Sequence, residues 1–264
     1  MIDFHNHILP SVDDGSKTTN MSISMLKYAR DQGITDVVNT VHFQHPKVEG
    51  MDISYDRIKN EINRLQDILK QNGINVKIHI GSEVFFLPNL LQLVDNPLAT
   101  FGNGKYMLIE FHPHNIPDIN KQVLFDLKMK GVTPIIAHPE RYVQVQKNIN
   151  IVSEWLEAGC IMQIDAGSPL GLLGKQAKIT SELLIKNNWF QLIGSDAHDD
   201  KNRNFCLKDS LNYIDSIVDG DLTHIVNDNP QKILQGEDLL VDINYKIDTN
   251  KVGFFNHFKR ILKE

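Results

Sequence analysis

A chain of 264 residues with 41% hydrophobic side chains is long enough to bury one large core. Its formal net charge of -6 argues against a general nucleic-acid-binding protein, because phosphate backbones attract basic surfaces. Two cysteines are too few for a disulfide framework, and no apolar run approaches the ~20 residues that span a bilayer. A strand-like segment begins at residue 2 in place of a signal peptide, so we expect a cytoplasmic protein.

Strands and helices are predicted to alternate along the chain with a short period. Residues 2–8 alternate apolar and polar side chains, which is the period of a β-strand. Glycines follow several of the predicted helices, as expected for residues that end helices. The predicted strands cover residues 2–8, 34–42, 76–86, 106–111, 132–137, 160–165 and 190–194. The first predicted helix starts near Ser16 or Thr18 and ends at Gly33. A short helix is predicted to begin at residue 88. The other helices are predicted at about 54–72, 118–130, 148–158, 175–187 and 204–219.

This alternation predicts a parallel α/β sheet with right-handed crossovers. Residues 106–111, 132–137 and 190–194 are continuous apolar runs, as expected where helices cover both faces of a sheet. An open doubly wound sheet is the alternative, but no glycine-rich phosphate loop follows the first strand. We therefore favour a closed barrel over residues 1–240, with an appended tail over residues 241–264.

Nine polar side chains fall at or just after the ends of predicted strands. They are His5, His7, Asp14, His42, Glu83, Glu110, His138, Asp196 and His198. His5 and His7 lie on one face of the first strand, about 7 Å apart, so both can ligate metal. Each residue alone has an ordinary explanation, such as a helix cap or a hydrogen-bonded histidine. Together they predict a metal centre, because carboxylates clustered at one mouth of a barrel repel one another unless cations neutralise them.

The sequence motifs around these residues resemble the PHP (polymerase and histidinol phosphatase) superfamily over roughly residues 1–235. They are more specifically similar to the bacterial tyrosine-protein phosphatases of capsule and exopolysaccharide operons, the YwqE/CpsB type. The resemblance implies a distorted (β/α)7 barrel of the PHP type that binds three divalent metal ions. The motifs are Met1–Pro10, Val12–Gly15, Ala137–Arg141, Leu173–Gln176, Ser195–His198 and Arg203–Phe205.

The resemblance also implies how the nine residues divide among three metal positions. The first position would be formed by His5, His7, Glu83 and Asp196. The second would share Glu83 and add Glu110 and His138, and the third would use Asp14, His42 and His198. Nitrogen and oxygen ligands suit Mn, Fe, Zn or Mg, and we expect Mn.

Four further residues near this mouth fall outside the ligand pattern. Asp13 is expected to orient its loop, and His45, His112 and His114 are expected to line or support the pocket.

Arg141 and Arg203 follow two of the predicted ligands and would face the mouth. Planar guanidinium groups bind phosphate oxygens bidentately, although surface salt bridges are the ordinary alternative. We predict a metal-dependent phosphomonoesterase in which activated water attacks phosphotyrosine and these two arginines hold the phosphate. Neither Cys160 nor Cys206 has an arginine at the spacing that a cysteine-dependent phosphatase requires.

Three alternatives stay open. A small-molecule phosphatase of the same superfamily, such as histidinol phosphatase, would use the same site. A metal-dependent nuclease is disfavoured by the acidic charge, and a binding module without catalysis is disfavoured by the intact ligand set. As partner, the resemblance implies a tyrosine-phosphorylated protein, namely a bacterial tyrosine kinase that controls capsular or exopolysaccharide synthesis.

The last fourteen residues, 251–264, have the pattern of a basic amphipathic helix. Its basic residues are Lys259, Arg260 and Lys263, in an otherwise acidic protein. The apolar stripe consists of Phe254, Phe255, Phe258, Ile261 and Leu262. Such a segment can contact an anionic membrane or a partner's groove, and docking on its own barrel is the alternative.

Overall fold

The structure is a computed structural model that describes residues 1–218 and 220–239. Seven parallel strands pair in sequence order to form one sheet. They are β1 (Ile2–Asn6), β2 (Asp36–Phe43), β3 (Lys77–Phe85), β4 (Tyr106–Glu110), β5 (Thr133–Ala137), β6 (Ile161–Asp165) and β7 (Leu192–Gly194). The sheet curls until its edges meet, since Asn6 forms a parallel bridge with Ala197 and the His7 N–H donates to the Ala197 carbonyl at 2.8 Å. The predicted (β/α)7 barrel is confirmed.

Helices connect the strands and cover the outside of the barrel. They are α1 (Thr19–Asp31), α2 (Tyr55–Gln71), α3 (Asn120–Met129), α4 (Val143–Lys147), α5 (Asn150–Glu157), α6 (Gly167–Leu170), α7 (Lys175–Lys186), α8 (Leu207–Asp215) and α9 (Asn229–Gln235). Short 3-10 turns cover Pro46–Val48, Leu90–Leu93 and Pro139–Arg141, and a π-helical turn covers His224–Asp228. The Thr18 hydroxyl caps α1 by accepting from the Met21 N–H at 3.2 Å.

Several predicted helix bounds are wrong. The helix predicted near residues 148–158 is α5, at Asn150–Glu157, and the short helix α4 that precedes it was not predicted. The helix predicted from Pro88 is only a 3-10 turn, and α8 is shorter than its predicted range of 204–219. The short helices α6 and α9 were not predicted, because neither has the length over which a helical period is visible in the sequence.

Apolar side chains fill the amino-terminal half of the barrel and leave the carboxyl-terminal mouth to polar groups. Val38 and His42 lie four residues apart on β2, and Leu108 and Glu110 lie two apart on β4, so each pair shares the inner face. The inner apolar residues form one buried cluster of Phe4, Val38, Phe101, Tyr106, Leu108, Ile135, Ala137, Ile161, Leu192 and Ile233. A larger buried cluster lies between the strands and the helices.

Gly194 permits the close approach of β7 to β1. A Cβ atom at this position would lie 2.5 Å from both the backbone nitrogen and the Cβ of His5. Any side chain here would therefore push the two edges of the barrel apart at the point where His5 and Asp196 meet.

The predicted tail at residues 241–264, with its amphipathic segment at 251–264, lies outside the described residues. The last described residues pack on the barrel, since the Leu239 N–H donates to the Tyr106 hydroxyl at 2.9 Å. Within residues 1–218 and 220–239, no helix combines the length and the apolar character needed to cross a membrane.

Candidate metal centre

The nine predicted ligands all lie at the carboxyl-terminal mouth of the barrel. β1 and the loop after it carry three of them, β2, β3 and β4 carry one each, and the loops after β5 and β7 carry the rest. Eight of the nine are buried, and the Asp14 side chain keeps 33% of its exposure. The structure therefore brings together residues that are up to 193 positions apart, from His5 to His198.

The first group of donor atoms surrounds the imidazoles of His5 and His7. Their Nε2 atoms lie 3.3 Å apart. Oε2 of Glu83 lies 3.3 Å from Nε2 of His5 and 3.5 Å from Nε2 of His7. Oδ1 of Asp196 lies 3.5 and 3.4 Å from the same two nitrogens. Four donors thus converge on one point, as a bound cation requires.

The second group is centred on the other oxygen of Glu83. Oε1 of Glu83 lies 2.8 Å from Nε2 of His138, and Oε1 of Glu110 lies 3.9 Å from the same nitrogen. His45 belongs to this side of the mouth, since its Nε2 lies 3.5 Å from Oε2 of Glu110. Glu83 therefore spans the first and second groups with its two oxygens.

The third group lies at the edge of the mouth, around Asp14. Oδ1 of Asp14 lies 3.1 Å from Nε2 of His42 and 3.3 Å from Nε2 of His198. The other oxygen of Asp14 contacts Nζ of Lys47 at 2.6 Å, a contact that the sequence did not predict.

A bound cation would satisfy the ligand atoms of this cluster better than hydrogen bonds among them do. Among the described residues, several buried ligand atoms have no hydrogen-bond partner, including Asp14 Oδ1, Glu110 Oε2, Asp196 Oδ1 and His198 Nε2. A buried polar atom without a partner costs free energy, roughly 1–3 kcal/mol each. A set of imidazole nitrogens and carboxylate oxygens without thiolates matches the preferences of Mn, Fe, Zn and Mg.

The electrostatics of the cluster also favour added positive charge. Burial, and then the neighbouring Glu83 carboxylate, raise the pKa of Glu110 to about 7. Burial alone would lower the pKa of His5, but the carboxylates of Glu83 and Asp196 outweigh it and raise that pKa. In the absence of other cations, the negative charge of this cluster therefore favours protonation of the carboxylates or of the histidines.

Asp13 positions two of the ligand-bearing segments. Its Oδ2 lies 2.7 Å from Nδ1 of His7 and accepts from the His42 N–H at 3.1 Å. Its Oδ1 accepts from the Gly15 N–H at 3.0 Å. Burial would raise the pKa of Asp13, but His7 lowers it to about 2, so Asp13 is ionised. Because Asp13 engages Nδ1, the other ring nitrogen of His7, Nε2, is directed toward the remaining atoms of the first group.

Two candidate ligands have left-handed backbone conformations. φ is +33° at His138 and +45° at Asp196, a region that non-glycine residues rarely adopt. Backbone hydrogen bonds hold both, from His138 N–H to the Gln163 carbonyl and from Asp196 N–H to the His5 carbonyl, each at 2.7 Å. Strain of this kind concentrates at functional sites, where the surrounding structure enforces it.

The two predicted phosphate-binding arginines converge on one carboxylate. Arg203 donates to Oδ2 of Asp196 at 2.6 Å, and Arg141 donates to the same oxygen. Their side chains keep 35% and 26% of their exposure. Both guanidinium groups are therefore partly buried at the mouth, beside the donor cluster and within reach of solvent.

Sequence reasoning missed two buried carboxylates behind Arg141. Asp165, the last residue of β6, lies 3.4 Å from Nη1 of Arg141 through its Oδ2. Glu140 is fully buried and accepts from the Asp165 N–H at 2.9 Å and from the Ser168 hydroxyl at 2.7 Å. The signal for Asp165 was its place at a strand end, which it shares with the predicted ligands.

Two further histidines follow β4. His112 and His114 are exposed on the loop after this strand, and their rings contact each other at a centroid distance of 5.8 Å. The expectation that they line or support the pocket stays a prediction.

A parallel seven-stranded barrel with clustered histidines and carboxylates at its carboxyl-terminal mouth defines a PHP-type barrel protein. Residues 1–235 match the family model described as "Capsular polysaccharide synthesis, CpsB/CapC", and the chain belongs to this family.

Individual relatives cover most of the chain. It is 34% identical to the putative tyrosine-protein phosphatase CapC of Staphylococcus aureus, over 80% of this chain and 82% of CapC. It is 30% identical to the tyrosine-protein phosphatase YwqE of Bacillus subtilis, over 97% of this chain and 100% of YwqE.

A solved structure is similar over nearly the whole barrel. It comes from the crystal structures of YwqE from Bacillus subtilis and CpsB from Streptococcus pneumoniae, described as unique metal-dependent tyrosine phosphatases. The match has a TM-score of 0.86 and 31% identity, and it covers 92% of this chain and 98% of that one.

The contacts of Asp13 generate a first prediction. Replacing Asp13 with alanine frees the His7 ring to rotate, so affinity for Mn²⁺ should fall about 10–100-fold. Calorimetric titration of Mn²⁺ into chelator-stripped protein measures this, with circular dichroism to verify the fold. Asp67→Ala, on the exposed face of α2, is the control and should bind like the wild type. Unchanged affinity in Asp13→Ala would show that Asp13 does not position a ligand.

Proposed function

We propose that this protein is a metal-dependent protein-tyrosine phosphatase. The observation that carries the proposal is the convergence of Arg141 and Arg203 on Asp196, a carboxylate that also faces His5 and His7. This juxtaposition puts two guanidinium groups, which can bind phosphate, beside a cluster of side chains that can ligate metal. Membership of the CpsB/CapC family and the names of its relatives as tyrosine-protein phosphatases support the reaction and the substrate.

We further propose that the nine donors hold three divalent ions, with Mn as the first candidate and Fe, Zn or Mg as the others. We assign one ion to each of the three groups described above, with Glu83 shared between the first two. When bound, such ions lower the pKa of water and neutralise charge on phosphoryl oxygens.

The residues of the chain supply phosphate binding and orientation. Each guanidinium can donate two parallel hydrogen bonds to phosphate oxygens. Arg141 is fixed from behind by Asp165, and Arg203 also donates to the backbone carbonyl of Asp196 at 3.2 Å. A tyrosine leaving group has a pKa of about 10, so it departs more readily than an alkyl alkoxide. The reaction therefore does not depend on a dedicated general acid.

A cysteine nucleophile does not fit this structure. Cys160 is fully buried in the core, and burial raises the pKa of its thiol to about 12. Burial also raises the pKa of Cys206, which is only partly exposed. Reactive cysteines have lowered thiol pKa values and an electropositive, accessible environment, which neither residue has.

The proposed partner is a tyrosine-phosphorylated protein, namely a bacterial tyrosine kinase that controls capsular or exopolysaccharide synthesis, encountered in the cytoplasm. The family description, capsular polysaccharide synthesis, supports this process. The sequence pattern of residues 251–264 supports an additional contact with a partner or an anionic membrane.

The proposal predicts phosphate release that requires metal. Purified protein should hydrolyse phosphotyrosyl peptide faster than phosphoseryl peptide or histidinol phosphate, and a chelator should abolish the activity until divalent ions are restored. Glu83→Gln, which removes the carboxylate shared by two groups, should lose both bound metal and nearly all turnover. Glu157→Gln, on the exposed face of α5, is the matched control. A preference for histidinol phosphate over phosphotyrosyl peptide would show that the protein is a small-molecule phosphatase and that the proposed function is wrong.

The arginines separate phosphate binding from metal binding. Arg141→Ala and Arg203→Ala should keep their metal content, but kcat/KM for phosphotyrosyl peptide should fall at least tenfold. The reason is that a hydrogen bond to a charged group is worth roughly 1.5–3 kcal/mol. Arg64→Ala, which removes an exposed arginine of α2, should be unchanged. Wild-type kinetics in both Arg141→Ala and Arg203→Ala would show that these arginines form only structural salt bridges.

A further inference from the structure

An open groove lies beside the candidate metal centre, between the segment that follows β2 and the end of β3. Its volume is about 530 Å³. Most of its wall is aromatic or aliphatic, and includes Phe43, His45, Met51, Ile53, Phe85 and Leu87. Small-molecule subsites have this composition, with an apolar wall and a few polar groups at one end.

His45 is shared between the groove and the donor cluster. One edge of its ring lies 3.5 Å from Glu110, and the ring stacks on His42 at a centroid distance of 4.5 Å. The same ring meets Phe85 edge-to-face at 4.8 Å. The apolar wall of the groove is therefore continuous with the metal centre, one side chain away from it.

The groove also carries exposed apolar surface. Met51 is 50% exposed and Leu87 is 37% exposed, and they belong to the few large hydrophobic residues at the surface of the described chain. Two such residues on one concave surface mark a binding site more often than isolated exposed side chains do.

The groove and the arginines occupy opposite sides of the mouth. Arg141 and Arg203 follow β5 and β7, whereas the groove is formed after β2 and β3. In a barrel whose seven strands pair in the order β1 to β7, the gap between β2 and β3 lies opposite β6. Strand β6 itself lies between β5 and β7, the two strands that the arginines follow. A phosphate held by the two arginines at the metal centre would therefore leave its ester oxygen free to point toward the groove.

We propose that this groove binds the aromatic ring of phosphotyrosine and selects aryl phosphates over alkyl phosphates. The inference rests on the proposed function and names the subsite that sets its specificity. In an aryl phosphate a single oxygen joins the ring to phosphorus, so the ring must lie within a few ångströms of the metal centre, where His45 and Phe85 begin the apolar wall. Phosphoserine has no ring, so it would leave this wall exposed to water.

Two non-hydrolysable ligands separate the ring from the phosphate. Methylphosphonate and benzylphosphonate carry the same anionic group, and only the second carries a ring. Binding of each to the full-length, Mn²⁺-loaded protein is measured by calorimetry. The groove variant combines Met51→Gln and Leu87→Asn, which keep side-chain size and remove apolar character. Met129→Gln, at the exposed carboxyl end of α3, is the matched control.

The proposal predicts that the groove variant binds benzylphosphonate about tenfold more weakly, while its affinity for methylphosphonate and its metal content stay at wild-type values. Its kcat/KM for phosphotyrosine should fall by a similar factor, and Met129→Gln should match the wild type. Equal weakening of both phosphonates, or unchanged benzylphosphonate affinity in a variant of an active phosphatase, would overturn the groove assignment alone. A wild-type protein that binds neither phosphonate and releases no phosphate would overturn the proposed function as well.

Discussion

Burial of several carboxylates at one point is the constraint on which the rest of this structure depends. Glu83, Glu110 and Asp196 converge inside the barrel mouth, where the solvent that would screen their mutual repulsion is excluded. Six imidazoles and two guanidinium groups surround them, contributed by segments that are distant in the sequence. The centre is stable only when positive charge balances these carboxylates, and this requirement explains both the histidines and the affinity for cations that we propose.

The barrel supplies the geometry for this charge cluster at a local cost. Closure between β1 and β7 places His5 against Asp196 and depends on the missing side chain of Gly194. The left-handed backbone at His138 and Asp196 stores strain at the same edge. The apolar cluster below the mouth, from Phe4 to Leu192, provides the burial that compensates for such strain. Rigid strands thus hold the ligands, while the loops beyond them carry the arginines and the groove.

The strand order and the convergence of the nine residues followed from the sequence, because apolar runs, terminal glycines and strand-end polar residues are local signals. Contacts between distant loops were not predictable in this way. Lys47 reaches Asp14 because a 3-10 turn folds back over the mouth, and Asp165 supports Arg141 across two loops. Asp165 ends its strand as the predicted ligands do, but the family pattern gave it no role, so its partner became visible only in three dimensions.

The apolar groove, which we propose sets the substrate specificity, could not be predicted from the sequence either. Met51, Ile53 and Leu87 have no shared spacing in the sequence, and they meet only because β2 and β3 are neighbours. A metal centre can be anticipated from residue types that few other roles require. An apolar subsite uses residue types that also build the core, so composition alone cannot distinguish it.

The most direct test of this account is the number of divalent ions that the protein holds, measured by mass spectrometry of metals on purified, gel-filtered protein loaded with Mn²⁺. The account predicts three ions per chain in the wild type. It predicts a loss of at least one ion in His138→Ala, a ligand of the second group alone. Full phosphotyrosine phosphatase activity in protein that contains no divalent ion would contradict the central claim.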